Sequence, residues 1–316
     1  MQKKTIFILL IFIISSCTKE ISIDLPKKEP KLVINSFFIP FTTPNPKSFN
    51  VKVNQSSPLL DTTTMKAITD ATVIISSGNQ IDTMKYNDSL KYYDLGFTFP
   101  ETGKNYELKV IKSGFKTVIS NDIVPSKVKM TSYEVNPIAG TNDCGSIYSE
   151  ITINFNDPAN EKNFYEVEII EDTTTYQIFS NDNIITSESY YPSLLSFDAK
   201  NPEYLLFNDS YINGEKHELR IFYYPPLYED PDGRYIKDQV VFLHFRSVSE
   251  NYYKYKTSLL QHLYRQQGDI LYGTGEPVNV FSNIENGLPP DFFTVFFVSI
   301  TALDPISLFT SFKASS

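Results

Sequence analysis

The chain has 316 residues, 41 % hydrophobic and 14 % aromatic, with 24 Phe, 21 Tyr and no Trp. That is core material for about two domains, and it excludes a disordered chain or a coiled coil. Acidic residues outnumber basic ones 37 to 28 for a net charge of −9, against the basic footprint of a nucleic-acid binder, and three His with two Cys leave almost nothing for a zinc site. In chain order, the first segment is MQKKTIFILLIFIISS, residues 1–16. Lys3 and Lys4 precede an apolar run from Thr5 to Ile14. The run is too short to cross a bilayer, which needs about 20 residues, and it reads as a signal peptide.

Ile14-Ser15-Ser16-Cys17 resembles the bacterial lipobox, in which small residues admit the peptidase and the cysteine thiol accepts the lipid. Cys17 is therefore the expected lipid attachment site, and several acyl chains on one residue give stable anchoring. An ordinary secretory signal, with Cys17 incidental or paired to Cys144, is the alternative. The residue after Cys17 is Thr18, not the Asp that retains lipoproteins at the inner membrane. Cys17-Thr-Lys-Glu20 partly resembles the short charged signal that carries Bacteroidota lipoproteins to the cell surface. The expected place is the outer membrane, lipid-anchored, on the cell surface.

Residues 17–30 are polar and rich in Lys and Pro, a tether. Residues 31–130 read as an immunoglobulin-like β-sandwich. Strands are expected over 31–39, 49–54, 71–76, 92–99, 106–111 and 114–119, with Ser77-Gly-Asn79 and Pro100-Glu-Thr-Gly103 as turns. Residues 131–316 read as a larger β-rich domain. Ile151, Ile153 and Phe155 share one face of a strand. Tyr165, Val167 and Ile169 point inward, with Glu166 and Glu168 outward. Further strands are expected at 217–223 and 239–245, with a loop over Pro225–Gly233. The period changes at Ser249, an N-cap, for a helix over 249–267. Tyr252, Tyr255, Leu259 and Leu263 form its packing stripe. Phe292 to Ile300 is apolar on both faces, as in a covered central strand, and Phe292 and Phe293 are also candidates for a partner surface.

Several short motifs follow one another in a recognisable order. Ile23-Asp-Leu-Pro26 and Pro30-Lys-Leu-Val-Ile-Asn35 come first, then Ala71-Thr-Val73, Gly103-Lys-Asn-Tyr-Glu-Leu108 and Ile123-Val-Pro125. Phe155-Asn-Asp-Pro158, Asn163-Phe-Tyr165, Ser247-Val-Ser-Glu-Asn-Tyr-Tyr253 and Phe281-Ser-Asn-Ile-Glu-Asn-Gly287 complete the set. The set resembles Bacteroidota outer-membrane lipoproteins grouped as a domain of unknown function and typically encoded beside TonB-dependent receptors. The resemblance implies a two-part β architecture, an outer-membrane anchor and a receptor partner. It brings no catalytic residues. The chain departs from the family pattern at Leu288-Pro-Pro-Asp-Phe-Phe293, where Gly-rich sequence is usual.

Catalytic motifs are absent: no Gly-rich phosphate loop, no His-Glu-x-x-His, no Gly-x-Ser-x-Gly and no Cys-x-x-Cys. His217, His244 and His262 lie far apart in sequence, and His244 reads as a structural histidine. Asp230-Pro-Asp-Gly233 reads as a turn before it reads as a calcium loop, and Cys144 as an idle thiol. No cofactor, no metal and no nucleic-acid partner are expected. The compositional oddity is tyrosine between polar residues, which suits recognition of sugars or peptides as well as sheet margins. Tyr190, Tyr191, Tyr224 and Tyr228 are the candidate ligand contacts. The resulting expectation is a non-enzymatic accessory or ligand-binding subunit of a TonB-dependent receptor. A structural or adhesive surface module without a transport partner is the alternative, and a hydrolase comes third.

Overall fold

The computed structural model describes residues 29–36, 49–57, 65–96, 101–171, 174–185, 203–230, 233–236, 239–266, 279–285 and 302–310. The signal segment, Cys17, Tyr190, Tyr191, Phe292 and Phe293 lie outside them. The architecture is mainly β, with antiparallel sheets and a single long helix among the described residues.

The N-terminal sheet runs β1 (Leu32–Ser36), β2 (Asn50–Gln55), β6 (Tyr92–Asp94), β5 (Gln80–Asn87), β4 (Thr72–Ser77), β7 (Asn105–Ile111), β8 (Val118–Ile123) and β19 (Ile284–Glu285), with β3 (Lys66–Ala67) beside β2. Its expected two layers are halves of one continuous sheet. β5 turns the corner: Gln80–Met84 pair with β4, while Lys85–Asn87 pair with β6. A strand that changes sheets in this way closes a sandwich toward a barrel. The enclosed core is built from alternate residues: Val51 and Val53, Val73 and Ile75, Tyr106, Leu108 and Val110. Tyr93, 2 % exposed, satisfies both sides of its hydroxyl inside that core. It donates to the Ile68 carbonyl and accepts from the Ala71 N–H, each at 2.9 Å.

A second core draws on two further sheets. One runs β13 (Ile178–Phe179), β15 (Lys216–Tyr223), β10 (Ile147–Asn156) and β9 (Met130–Thr141). The other runs β12 (Thr174–Thr175), β11 (Phe164–Glu171), β18 (Gln239–Val248) and β20 (Ala302–Thr310), with β14 (Tyr204–Asn208) also on β11. Ile151, Ile153 and Phe155 meet Tyr165, Val167, Ile169 and Phe245 between them. Phe155 lies 4.9 Å from Phe245 and 5.4 Å from Tyr165 between ring centroids. The Phe155–Pro158 and Asn163–Tyr165 motifs form a polar corner beside this core. Asp157 accepts from the Tyr165 hydroxyl and, at 3.0 Å, from the Gly214 N–H. Asn163 and Asp209 exchange two hydrogen bonds. Gly214 is required there: its φ is +76°, and a Cβ would meet the Ala159 Cβ at 2.9 Å.

Further expectations change on folding, among them the strand expected over 114–119, which is a turn up to β8 at Val118. The loop expected over Pro225–Gly233 is replaced by β16 (Leu227–Asp230), which pairs antiparallel with β17 (Gly233–Ile236), Asp230 lying opposite Gly233. Glu166 is on the outward face of β11 as expected, yet it is 1 % exposed, because the helix α1 (Glu250–Gln266) covers that face.

Candidate functional site

Outward positions of a half-buried strand are normally polar. β10 and β15 obey this at one end and break it at the other. Glu218 and Arg220 occupy outward positions of β15, then Phe222 follows in the same phase, and Tyr224 continues it just past the strand. On β10 the outward Thr152 and Glu150 lead back to Tyr148. Register sets Glu150 opposite Phe222 and Thr152 opposite Arg220. Phe179 of β13 lies opposite Phe222 on the other side.

The result is an aromatic platform on the outer face of the four-stranded sheet. Phe179 stacks on Phe222 at 5.2 Å and on Tyr224 at 5.6 Å. Tyr148 stands edge-on to Phe222 at 5.8 Å and to Tyr224 at 6.5 Å. Edge-on and offset contacts suit the ring quadrupoles and hold the side chains in place. Tyr148, Phe179 and Tyr224 are half-buried, so part of the platform faces solvent. Gly140 on β9 makes room for it, since a Cβ there would overlap the Tyr148 ring. The Asn142 amide donates to the Tyr224 hydroxyl at 3.4 Å. Along one side Arg220 bonds Glu150 at 2.5 Å and lies 5.7 Å from the Phe222 ring. This pairing lowers the Glu150 pKa, chiefly through the hydrogen bond from Arg220. Fixed aromatic faces beside a charged pair can bind a flat or polyhydroxylated group.

Of the four tyrosines expected to contact ligand, the structure places Tyr224 in this platform. Tyr228 lies four residues further on, in β16 of a separate hairpin. Tyr223 points inward at 2 % exposure. Tyr148, Phe179 and Phe222 were not anticipated. The signal for Tyr148 and Phe222 was present as aromatic residues in the outward phase of β10 and β15, whereas Phe179 is on the two-residue β13.

Two of the histidines, His217 and His244, have charged partners. His217 Nε2 is 3.0 Å from Asp182 Oδ2, and the neighbouring Ser180 hydroxyl accepts from the Asp182 N–H at 3.2 Å while donating to the Arg220 carbonyl at 2.6 Å. Burial raises the Asp182 pKa, but the His217 bond and backbone donors outweigh it and the net shift is downward. His244 occupies the outward face of β18 with Arg246, 2.7 Å away, and Glu168, 3.5 Å away. Arg246 also reaches Glu168 at 2.6 Å and Glu166 at 3.5 Å. Lys256 comes down from α1 to 3.7 Å from Glu166 and 3.8 Å from the centre of the Tyr204 ring. This is a buried ion network that fastens the helix to the sheet. Among the described residues no group of three or more His, Cys, Asp or Glu is placed to hold a metal ion. No described helix is long and apolar enough to cross a membrane. Cys144 is free and exposed.

A family model described as a domain of unknown function, DUF4249, matches residues 18–288, starting at the residue after Cys17. No curated protein matches the chain. Among solved structures, a "Putative membrane anchored protein" from Corynebacterium diphtheriae is similar at 10 % identity and a TM-score of 0.20. The match covers 87 % of this chain and 59 % of that one, and a score so low carries no argument about fold.

Proposed function

The chain belongs to the DUF4249 family, and from that premise we propose that it is an outer-membrane lipoprotein, anchored through Cys17 on the cell surface, that serves as a non-enzymatic, ligand-capturing accessory of a TonB-dependent receptor. The observation that carries the reading is the aromatic platform, in which Tyr148, Phe179 and Tyr224 are half-buried around the buried Phe222. It is a surface suited to holding a ligand. The lipobox in front of the matched segment supports the anchor, and the order of family motifs supports a receptor neighbour.

The test is a mild-detergent pull-down of the tagged full chain at native expression, after cross-linking. Recovery of an outer-membrane β-barrel is expected. Cys17→Ser should leave the protein unlipidated and lose the barrel, and Tyr224→Ala should keep the barrel but weaken ligand capture. A lipoprotein recovered alone would replace this reading with a surface module that has no transport partner. A Cys17→Ser protein that is still cleaved and lipidated would remove the anchor from it.

A further inference from the structure

The two cores meet at a polar junction that a simple strand pattern would not contain. The core-facing positions of β8 are Val118, Ser120 and Asp122, opposite Val110, Leu108 and Tyr106 of β7. The alternation that delivers valine at the first position delivers a serine and an aspartate at the next two. Ser120 is fully buried and Asp122 is 4 % exposed. Both are met by the rest of the chain. The Ser120 hydroxyl donates to the Asn283 carbonyl at 3.2 Å. Ser249 Oγ donates to Asp122 Oδ2 at 2.6 Å, and Asn251 Nδ2 donates to Oδ1 at 3.1 Å. The third donor is the Ile123 N–H at 3.0 Å. Asn251 and Asn283 both also donate to the Asn121 carbonyl. β19 adds two strand pairs to β8.

We infer that Asp122 is a proton-operated latch between the two cores, closed while its carboxyl is neutral and loosened when it ionises. Among the described residues the groups that hydrogen-bond it are neutral donors. From α1 these are Ser249 and Asn251, while the nearby Glu250 and Lys254 pair with each other at 3.0 Å, both half-exposed. From β7 it is opposite Tyr106, with Lys104 engaged by Glu101 at 2.7 Å. β19 carries Glu285, in register with Ile119 rather than with Asp122. Lys127 and Lys129 follow β8 on the exposed side of the chain. The groups that shift Asp122 besides burial are thus neutral donors rather than cations among the described residues. Burial pushes its pKa up to about 7, against the three donors that pull it down.

Ser249 makes the coupling mechanical. Its Oγ is also the N-cap of α1, accepting the Tyr252 N–H at 3.2 Å. A neutral carboxyl can donate to that oxygen, which keeps the helix start seated. On ionisation the proton leaves to solvent, and a full charge remains where water has little access. The helix N-terminus offsets only part of its cost. Admitting water, by parting β8 from the start of α1, relieves the rest.

The test is amide hydrogen exchange on the full chain from roughly pH 5.5 to 8.5, with rates corrected for intrinsic chemistry. Protection at Ile123, Tyr252 and Tyr253 should fall about tenfold or more as pH rises through about 7, the scale of one proton-linked step, while amides of β10 and β15 hold. Asp122→Asn, which keeps the shape of the neutral acid, should flatten that profile. Asn251→Leu removes one donor to the carboxylate and should move the midpoint to higher pH. A flat wild-type profile, or an unchanged transition in Asp122→Asn, overturns the latch. Should Asp122→Asn fail to fold, an unmoved midpoint in Asn251→Leu overturns it instead.

Discussion

Asp122 and Glu168 are both buried carboxyls, and their surroundings drive them in opposite directions. Asp122 has neutral donors, so desolvation wins and its folded pKa, about 7, lies above the ordinary 3.8. Its contribution to stability is therefore full below about pH 4 and lost as pH rises through about 7, a swing of about 4 kcal/mol. Glu168 suffers the same desolvation, but the His244 hydrogen bond and the Arg246 charge outweigh it and lower the pKa to about 2. Its contribution, about 3 kcal/mol, is present above the ordinary 4.5 and lost as pH falls through about 2. Arg246 is the keystone of the second case, since it reaches Glu166, 1 % exposed, as well as Glu168. Arg246→Met should cost about 3–5 kcal/mol at neutral pH, because it strands buried charges that Lys256 alone cannot balance. Denaturant unfolding measures this. The loss should shrink in acid, where the carboxylates become neutral, and a loss below about 1 kcal/mol at neutral pH would mean that solvent already screens the network.

At the scale of elements, the helix was legible in the residues and its phase was not. Ser249 caps it as expected, and α1 runs from Glu250 to Gln266. Tyr252 and Tyr255 are buried as expected, but Leu259 is half-buried and Leu263 is 47 % exposed. The face that packs on Leu206 and Val248 is Tyr252, Tyr253 and Leu260. Lys256 shares it by laying its ammonium over the Tyr204 ring, so a charged residue sits where an apolar pattern predicts a gap. Leu260→Ala should accordingly cost about 1–2 kcal/mol, part of the range for a fully buried leucine, and Leu263→Ala within about 0.5 kcal/mol. Equal losses in thermal unfolding would return the packing stripe to the Leu259/Leu263 side. Strands were legible where one face is buried, as in β2, β4, β7, β10 and β15. β5 escaped because Met84 is its one buried residue, and β9 because it is a mostly exposed strand interrupted by Pro137 and Gly140. The platform was half legible: Tyr224 stood out by composition, whereas Tyr148 and Phe179 acquire meaning only once register puts them beside Phe222.

The whole molecule is joined by segments that are distant in sequence. β18 lies between β11 and β20, and β20 pairs with it at nine positions from Gln239 to Ser247. β20 lies beyond residue 288, where the family match ends, so this chain completes its sheet with residues outside the matched segment. The same stretch of β18 carries Val241, Leu243 and Phe245 into the second core and His244 and Arg246 into the ion network. Removing residues 302–316 would turn β18 into an edge strand with a row of open backbone groups. Such an edge both loses ladder hydrogen bonds and offers a template for another chain. The truncated protein should melt well below the full chain and form concentration-dependent aggregates. The N-terminal core draws on residues Leu32 to Val124 and contains no part of β18 or β20, so its amides should stay protected below that transition. Hydrogen exchange on the truncated protein separates the outcomes. Protection lost first along β11 and β18 supports the role given to β20. An unchanged melting temperature and unchanged protection at Val241 to Phe245 would mean that the second core is complete within the family segment and that β20 is an accessory strand.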